Sequence, residues 1–415
     1  MSAVVEPGSP ESAMLLRWSV LAEAGDSPAA WLVAGLGPCG AWDWAAQAID
    51  DPVSATAVLA PTVPARTIAA AIAAAPRWAA RWDESDPATL RERTAACGAQ
   101  VMVRGQAGWP RAFDALGAAA PFALWWKGPA DLEWAFGGGI AVVGARSATA
   151  YGEHVAAGIG AEVARGGAAG ATAASGARAV ISGGAYGVDA AAHRAALAAG
   201  GTTVAVLAGG IDQVYPAGNA DLLGRVAETG ALVAEAPPGR APYRARFLLR
   251  NRLIATAAAT VVVEAAVRSG ALSTARHAAS IGRPVGAVPG PVTSAVSGGC
   301  HELLREGAAV LVRDAADARE LAAPIGDALA TARGAGALVA GGDAPRQEFA
   351  SPADRAAYDA CGGRGGDLDE ISRRAGLTAA QALASLGRLE LAGAVLKDRG
   401  VWRRPMDKRP RASQS

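Results

Sequence analysis

The sequence predicts an α/β protein: a Rossmann-like, doubly wound, mostly parallel sheet flanked by a small helical N-terminal domain and a C-terminal winged helix. Three observations carry this expectation. Between residues 122 and 312, short apolar runs alternate with Ala-rich stretches long enough for crossover helices. Residues 11 to 85 show only short helical patterns, broken by Gly35-Leu36-Gly37-Pro38 and Pro61 and rich in tryptophan (Trp18, Trp31, Trp42, Trp44). After residue 350, helical patterns are followed by paired β-like runs.

The apolar runs are 122–126, 140–143, 179–182, 203–207, 231–234, 260–263, 285–288 and 309–312. The later ones are β-branched and bounded by Gly or Pro, as strands buried on both faces should be. Segments such as 153–164 and 189–199 supply the crossover helices. Residues 325–350 are rich in Gly and Ala and read as a linker. Helical patterns at 352–361, 368–375 and 378–392 follow, with Thr378 a good N-cap, and then short runs at 394–397 and 401–403. That order is the layout of a winged helix, whose second and third helices form a helix-turn-helix. The expected division is therefore 1–90 helical, 91–320 Rossmann-like, 321–350 linker, 351–405 winged helix and 406–415 basic tail. For the first segment, a helix-hairpin-helix or SAM-like module and a plain helical appendage both remain open.

Composition narrows the function. Of 415 residues, 51% are apolar and 19% charged, and the net charge is +1, so any nucleic-acid surface must come from local clustering. Cys39, Cys97, Cys300 and Cys361 are scattered without a CxxC pair, so no zinc site or disulfide framework is expected. No secretory signal is apparent, and the apolar run 253–267 is broken by Glu264 and too short for a bilayer. A soluble cytoplasmic protein without metal, cofactor or membrane association is the expectation.

Five motifs fall at the expected C-terminal ends of strands, where open α/β sheets bind ligands. Val143-Gly144-Ala145-Arg146-Ser147 ends a strand ahead of a helix, so free amides, a guanidinium and a hydroxyl could meet an anion. A tight structural turn is an equal alternative. Ser182 to Asp189 is a second Gly-rich loop, in which Gly183 and Gly187 permit close approach and Tyr186 is a further candidate contact. Asp189 and His193 share a helical face, more as a capping and packing pair than as a catalytic one. Gly209-Gly210-Ile211-Asp212 with Tyr215-Pro216 forms the third. The fourth is a run with Arg240, Arg244, Arg246, Arg250 and Arg252, interleaved with Tyr243 and Phe247, and no acid between Glu235 and Glu264. Guanidinium groups track phosphates and aromatic faces stack on unpaired bases. Arg250, Asn251 and Arg252 are expected at a helix start, and alanine at both Arg250 and Arg252 is expected to abolish most single-strand binding while sparing the fold. Arg240, Arg244 and Arg246 either extend the groove or face solvent. In the fifth, Ser269 and Gly270 open a helix that also presents Ser273 and Thr274.

Taken in order, these segments resemble the DNA-processing protein A family (DprA, also called Smf). The likeness rests on Val143 to Arg146, on Ser182 to Asp189 with Ala192-His193, and on Ala205-Val206-Leu207 with Gly210, Asp212 and Tyr215-Pro216. It continues through Phe247 with Arg250-Asn251-Arg252, Val263-Glu264-Ala265 with Ser269-Gly270 and Thr274-Ala275, and Val288-Pro289-Gly290. Thr202, Leu248 and His301 depart from common family residues. The resemblance implies a homodimer that binds single-stranded DNA and loads RecA recombinase onto incoming strands in natural transformation. Arg146, Arg250, Arg252 and the Ser269–Thr274 loop would then contact phosphates. Two alternatives stand beside it. One is a nucleoside-monophosphate phosphoribohydrolase on the same fold, although no glutamate occupies the 269–274 loop. The other is a winged-helix regulator of duplex DNA.

Overall fold

Nine strands form one sheet in the order β1-β2-β6-β5-β4-β3-β7-β8-β9. They are β1 (Gln100–Val103), β2 (Ala123–Lys127), β3 (Ile140–Val143), β4 (Val180–Ser182), β5 (Thr203–Gly210), β6 (Ala231–Ala236), β7 (Ala259–Val262), β8 (Val285–Ala287) and β9 (Val310–Leu311). The computed structural model describes residues 5–165, 177–323, 351–361, 365–391, 394–398 and 400–403. All but the start of the expected linker, and the 406–415 tail, lie outside the described residues. Chain contacts separate two units, Met1–Ala330 and Thr331–Ser415.

From β6 to β9 every pairing is parallel, and β1 and β2 add an antiparallel edge. The parallel core follows from sequence: Ile140-Ala141-Val142-Val143 and Ala259-Thr260-Val261-Val262 have no polar face to give to water and are buried throughout. β1 was not among the expected strands. It is a short edge strand that buries only Met102 and Val103. The chain winds outward from β3 to β6 and then returns to place β7 beside β3, so the strand order reverses between those two.

Helices cover both faces. On one lie α7 (Ala150–Ala164) and α8 (Val188–Ala198), packed on Ile140, Val142 and Val261. On the other lie α10 (Arg244–Ile254) and α11 (Gly270–Ser280), packed on Ala141, Val143 and Val262. In α10 the structure corrects an expectation. The helix starts at Arg244, directly after Pro242-Tyr243, so Arg250 to Arg252 occupy its last turns, where the amides are already bonded. No Gly or Pro interrupts residues 244 to 254, which is why the helix runs through.

The N-terminal segment holds α1 (Pro10–Leu21), α2 (Ser27–Asp50), α3 (Pro52–Leu59), α4 (Ala65–Ala79) and α5 (Pro87–Ala96). Four of these begin with Ser9, Asp26, Asp51 or Asp86 accepting a first-turn amide, with Pro in the first turn. Gly37, at φ 70°, breaks α2 ahead of Pro38. Trp18 sets its ring edge-on to Trp78 at 5.2 Å and donates its indole N–H to the Pro38 carbonyl at 3.0 Å. These helices share one core with Phe122, Trp125, Leu207 and Leu232, so they are built onto the sheet.

The second unit contains α14 (Pro352–Cys361), α15 (Leu368–Ala375) and α16 (Ala379–Leu391), with a hairpin of β10 (Leu396–Asp398) and β11 (Val401–Arg403). Asp367 caps α15, and Gly376 ends it in the left-handed region. Thr378 and Gln381 form a reciprocal capping box at the start of α16. Ile371, Leu386, Val395 and Trp402 fill the small core. This is the expected winged helix. Among the described residues, no helix is long and apolar enough to cross a membrane.

Candidate nucleic-acid interface

A groove of about 670 Å³ opens above the C-terminal ends of the central strands, between the loop after β3, α10 and the start of α11. Of the sequence-predicted residues, Arg146, Phe247, Arg250, Asn251, Ser269, Gly270 and Thr274 line it. Gly183 and Tyr186 join Arg146 and Phe247 in a smaller adjoining pocket. Ser147, Gly187, Arg252 and Ser273 line neither. Ser147 is exposed on its loop, and Ser273 lies half-buried within α11. Gly187, at φ 71°, turns the second loop into α8.

Phe247 organises the centre. Arg146 lies over its ring at 5.1 Å, Arg250 at 5.8 Å, and Tyr215 meets it edge-on at 5.4 Å. Tyr186 and Tyr215 are each 49% exposed and Tyr243 45%, although Arg246 lies over the Tyr243 ring at 4.7 Å and covers one side of it. Ser269 caps α11 with its hydroxyl oxygen buried and without a hydrogen-bond partner.

The five arginines of the 240–252 run divide sharply. Arg240 pairs with Glu84 at 2.6 Å, Arg246 with Glu23 at 3.1 Å and Arg252 with Glu235 at 2.6 Å. Burial alone would raise the Glu23 carboxyl, but Arg246 and Arg81 hold it below its usual range. Arg250 is buried beneath the groove floor. It donates to the carbonyls of Gly183 and Val206, and a Cβ on Gly183 would overlap its guanidinium. Burial depresses its pKa to about 10, so it stays charged at neutral pH. Among the described residues, Arg244 is the exposed member of this run without a carboxylate partner, and Arg146 and Arg268 are likewise unpaired on the groove walls. Arg268 and Tyr215 were not among the predicted site residues. The signal for Arg268 was its place just before an expected helix start, and for Tyr215 its place in the third loop.

Similarity to known proteins matches this geometry. Residues 100–322 match the profile of the DNA recombination-mediator protein A family, and residues 343–400 that of the DprA winged helix domain. The chain belongs to the recombination-mediator protein A family. It is 47% identical over 311 residues to a DNA processing protein DprA of Mycobacterium tuberculosis, covering 71% of this chain and 74% of that one. Protein Smf of Escherichia coli is 42% identical over 131 residues, 31% of this chain and 35% of that one. The X-ray structure of DprA from Streptococcus pneumoniae superposes with a TM-score of 0.50 at 29% identity, covering 65% of this chain and 91% of that one. The chain is thus a DNA-processing protein with a Rossmann-like body and a winged helix.

Asp189 and His193 are not partners in this chain. Asp189 accepts the amides of Gly183 and Ala185 and ties the second loop to α8. Burial pushes its carboxyl up, against the pull of Arg250 and those two amides. The Thr203 hydroxyl donates to the Val180 carbonyl, so at 2.7 Å it accepts the proton on His193 Nδ1. Burial lowers the His193 pKa to about 3, with Arg250 adding to the effect. The unfolded chain takes up a proton near pH 6.5 that the folded chain refuses. Stability from this residue is complete above pH 6.5 and falls by about 1.4 kcal/mol per unit below it. Urea unfolding at pH 7.5 and 5.5 should show the native chain losing about 1.4 kcal/mol more than His193→Gln. Parallel pH dependence in the two proteins would rule out this assignment.

Proposed function

We propose that the groove binds single-stranded DNA and that the protein, without catalysis of its own, hands the strand to RecA during recombination or transformation. One observation carries the reading: three unpaired arginines and two half-exposed tyrosines, Tyr215 and Tyr243, line one groove, with Tyr186 in the pocket beside it, in a chain of net charge +1. Arginines on the walls can follow a phosphate backbone, and exposed ring faces stack on bases that a duplex keeps paired. Arg146, Phe247, Ser269 and Gly270 face the strand in this reading. Arg250, Asn251 and Thr274, all buried, shape the groove from beneath, and Arg252 is bound to Glu235 away from it. A soluble, cytoplasmic homodimer and the RecA hand-off follow from the family resemblance.

Neither alternative finds matching chemistry. Asp189 is the one carboxylate among the lining residues described, and two amides and Arg250 already engage it. A phosphoribohydrolase needs a carboxylate free for the ribosyl bond. For a duplex reader, α16 would be the recognition helix. Its outward positions include Gln381, Ala384 and Leu383, which is 50% exposed, while Arg388 is held by Asp354 at 2.6 Å.

Fluorescence anisotropy with labelled oligonucleotides of equal length tests the reading. Single strands should bind more tightly than duplex, with affinity falling steeply as salt rises, and strand-exchange assays should show faster RecA filament assembly. Equal or tighter duplex binding, or release of free base from nucleoside monophosphates at ordinary enzymatic rates, would overturn it.

A further inference from the structure

Glu264 follows β7, at the point between β3 and β7 where the strand order reverses. Open α/β sheets commonly hold a ligand at such a point, with its anionic group against the N-terminus of the helix that follows the first strand. Here the helix is α7, fifteen residues long, and its N-terminus is already occupied from within. Glu264 is 2% exposed. One carboxylate oxygen accepts the Thr149 amide at 2.9 Å, and the other accepts the Thr149 hydroxyl at 2.6 Å. The same hydroxyl accepts the Gly152 amide at 3.2 Å, which makes Thr149 the N-cap of α7. Gly152 is required at that place, because a Cβ would overlap the Glu264 carboxyl.

We infer that Glu264 is an internal anion that fills the position a ligand's phosphate would take at α7 and, through Thr149, fixes the loop that carries Arg146. Glu264 lines no part of the groove, and it acts on DNA only through that loop. The loop has its two sides engaged differently. Thr149 is held from the α7 side, while Arg146, three residues earlier, reaches across to Phe247. A carboxylate at this point serves two ends. It satisfies donors that would otherwise need a bound anion, and it holds an exposed arginine at a set place over an aromatic ring.

The inference rests on the groove being a single-strand site, and its test separates the two. In Glu264→Ala the carboxylate is gone and the Thr149 donors face a vacancy of formate size. Single-strand affinity should fall on the order of tenfold, the worth of one charge-assisted contact. Added formate, at ionic strength held constant with chloride, should recover most of that loss and raise the melting temperature of the variant. Formate should change neither property in the native chain, and it should not restore binding to the double variant Glu264→Ala with Arg146→Ala. A native chain that fails to bind single strands removes the groove reading, yet formate-dependent melting of the variant still reports on the anion site. Native-like affinity in Glu264→Ala, or indifference of its melting temperature to formate, overturns the inference. Should that variant fail to fold, Thr149→Val removes the hydroxyl half of the link while the backbone amide bond remains, so a smaller loss of affinity is expected and unchanged affinity overturns the inference.

Discussion

Arg250→Ala is expected to lose about 2–6 kcal/mol of folding stability, the cost of leaving two buried carbonyls without their donor. The side chain is only 7% exposed, at the centre of the sheet's C-terminal edge. Its guanidinium satisfies the Gly183 carbonyl, just after β4, and the Val206 carbonyl, in the middle of β5, and its charge offsets Asp189. Alanine would leave two carbonyls without a donor and a buried carboxyl without its cation, together with a void under Phe247. A loss of that size is a large share of the ~5–15 kcal/mol that holds a typical domain. Lysine in its place keeps the charge but lacks the Nε–H that Arg250 donates to Asn251 Oδ1, so Arg250→Lys should recover only part of the loss. Urea denaturation followed by circular dichroism measures both variants. A deficit below about 1 kcal/mol in Arg250→Ala would return Arg250 to the class of surface contacts. Single-strand binding should also be lost at temperatures where the variant is partly unfolded. Loss of binding by this variant alone therefore cannot identify Arg250 as a phosphate ligand.

That outcome reverses an expectation drawn from sequence, and the reason is instructive. The arginine run looked unopposed because no acid lies between Glu235 and Glu264. Its partners come from elsewhere: Glu23 and Glu84 from the N-terminal helices, and Glu235 from the end of β6. Ion pairing across such sequence distances is set by tertiary packing, which local charge patterning does not encode. The sheet was legible for the opposite reason. Strands buried on both faces have to be apolar at every position, so β3 to β8 announce themselves, while the short edge strand β1 does not. Glycine loops at strand ends were legible too, since close approach of backbone leaves few alternatives. The sequence separated the helical N-terminal segment from the sheet. In the structure Trp18 and Trp78 share a core with Trp125, and the boundary carries no break in packing. Tryptophan content alone cannot say which neighbour a ring will meet.

Phosphate contact is instead expected from the arginines that have no carboxylate, and the triple variant Arg146→Ala, Arg244→Ala, Arg268→Ala isolates it. All three side chains are exposed, so stability should change by no more than about 0.5 kcal/mol per site. Single-strand affinity should drop by roughly 10²–10³, at about tenfold for each charge-assisted phosphate contact. Salt dependence gives an independent count. Each phosphate neutralised on a single strand contributes about −0.7 to the slope of log affinity against log salt, so losing three should flatten it by about 2. The control is Arg240→Ala with Arg246→Ala, which also removes cations from the 240–252 run, but cations already neutralised by Glu84 and Glu23. If pairing decides, the control keeps nearly the native slope while the triple variant loses most of it. If bulk charge decides, the slope falls in both in proportion to the arginines removed, and the groove assignment fails. Because the molecule carries a net charge of only +1, the free cations on the groove walls are its main handle on a polyanion.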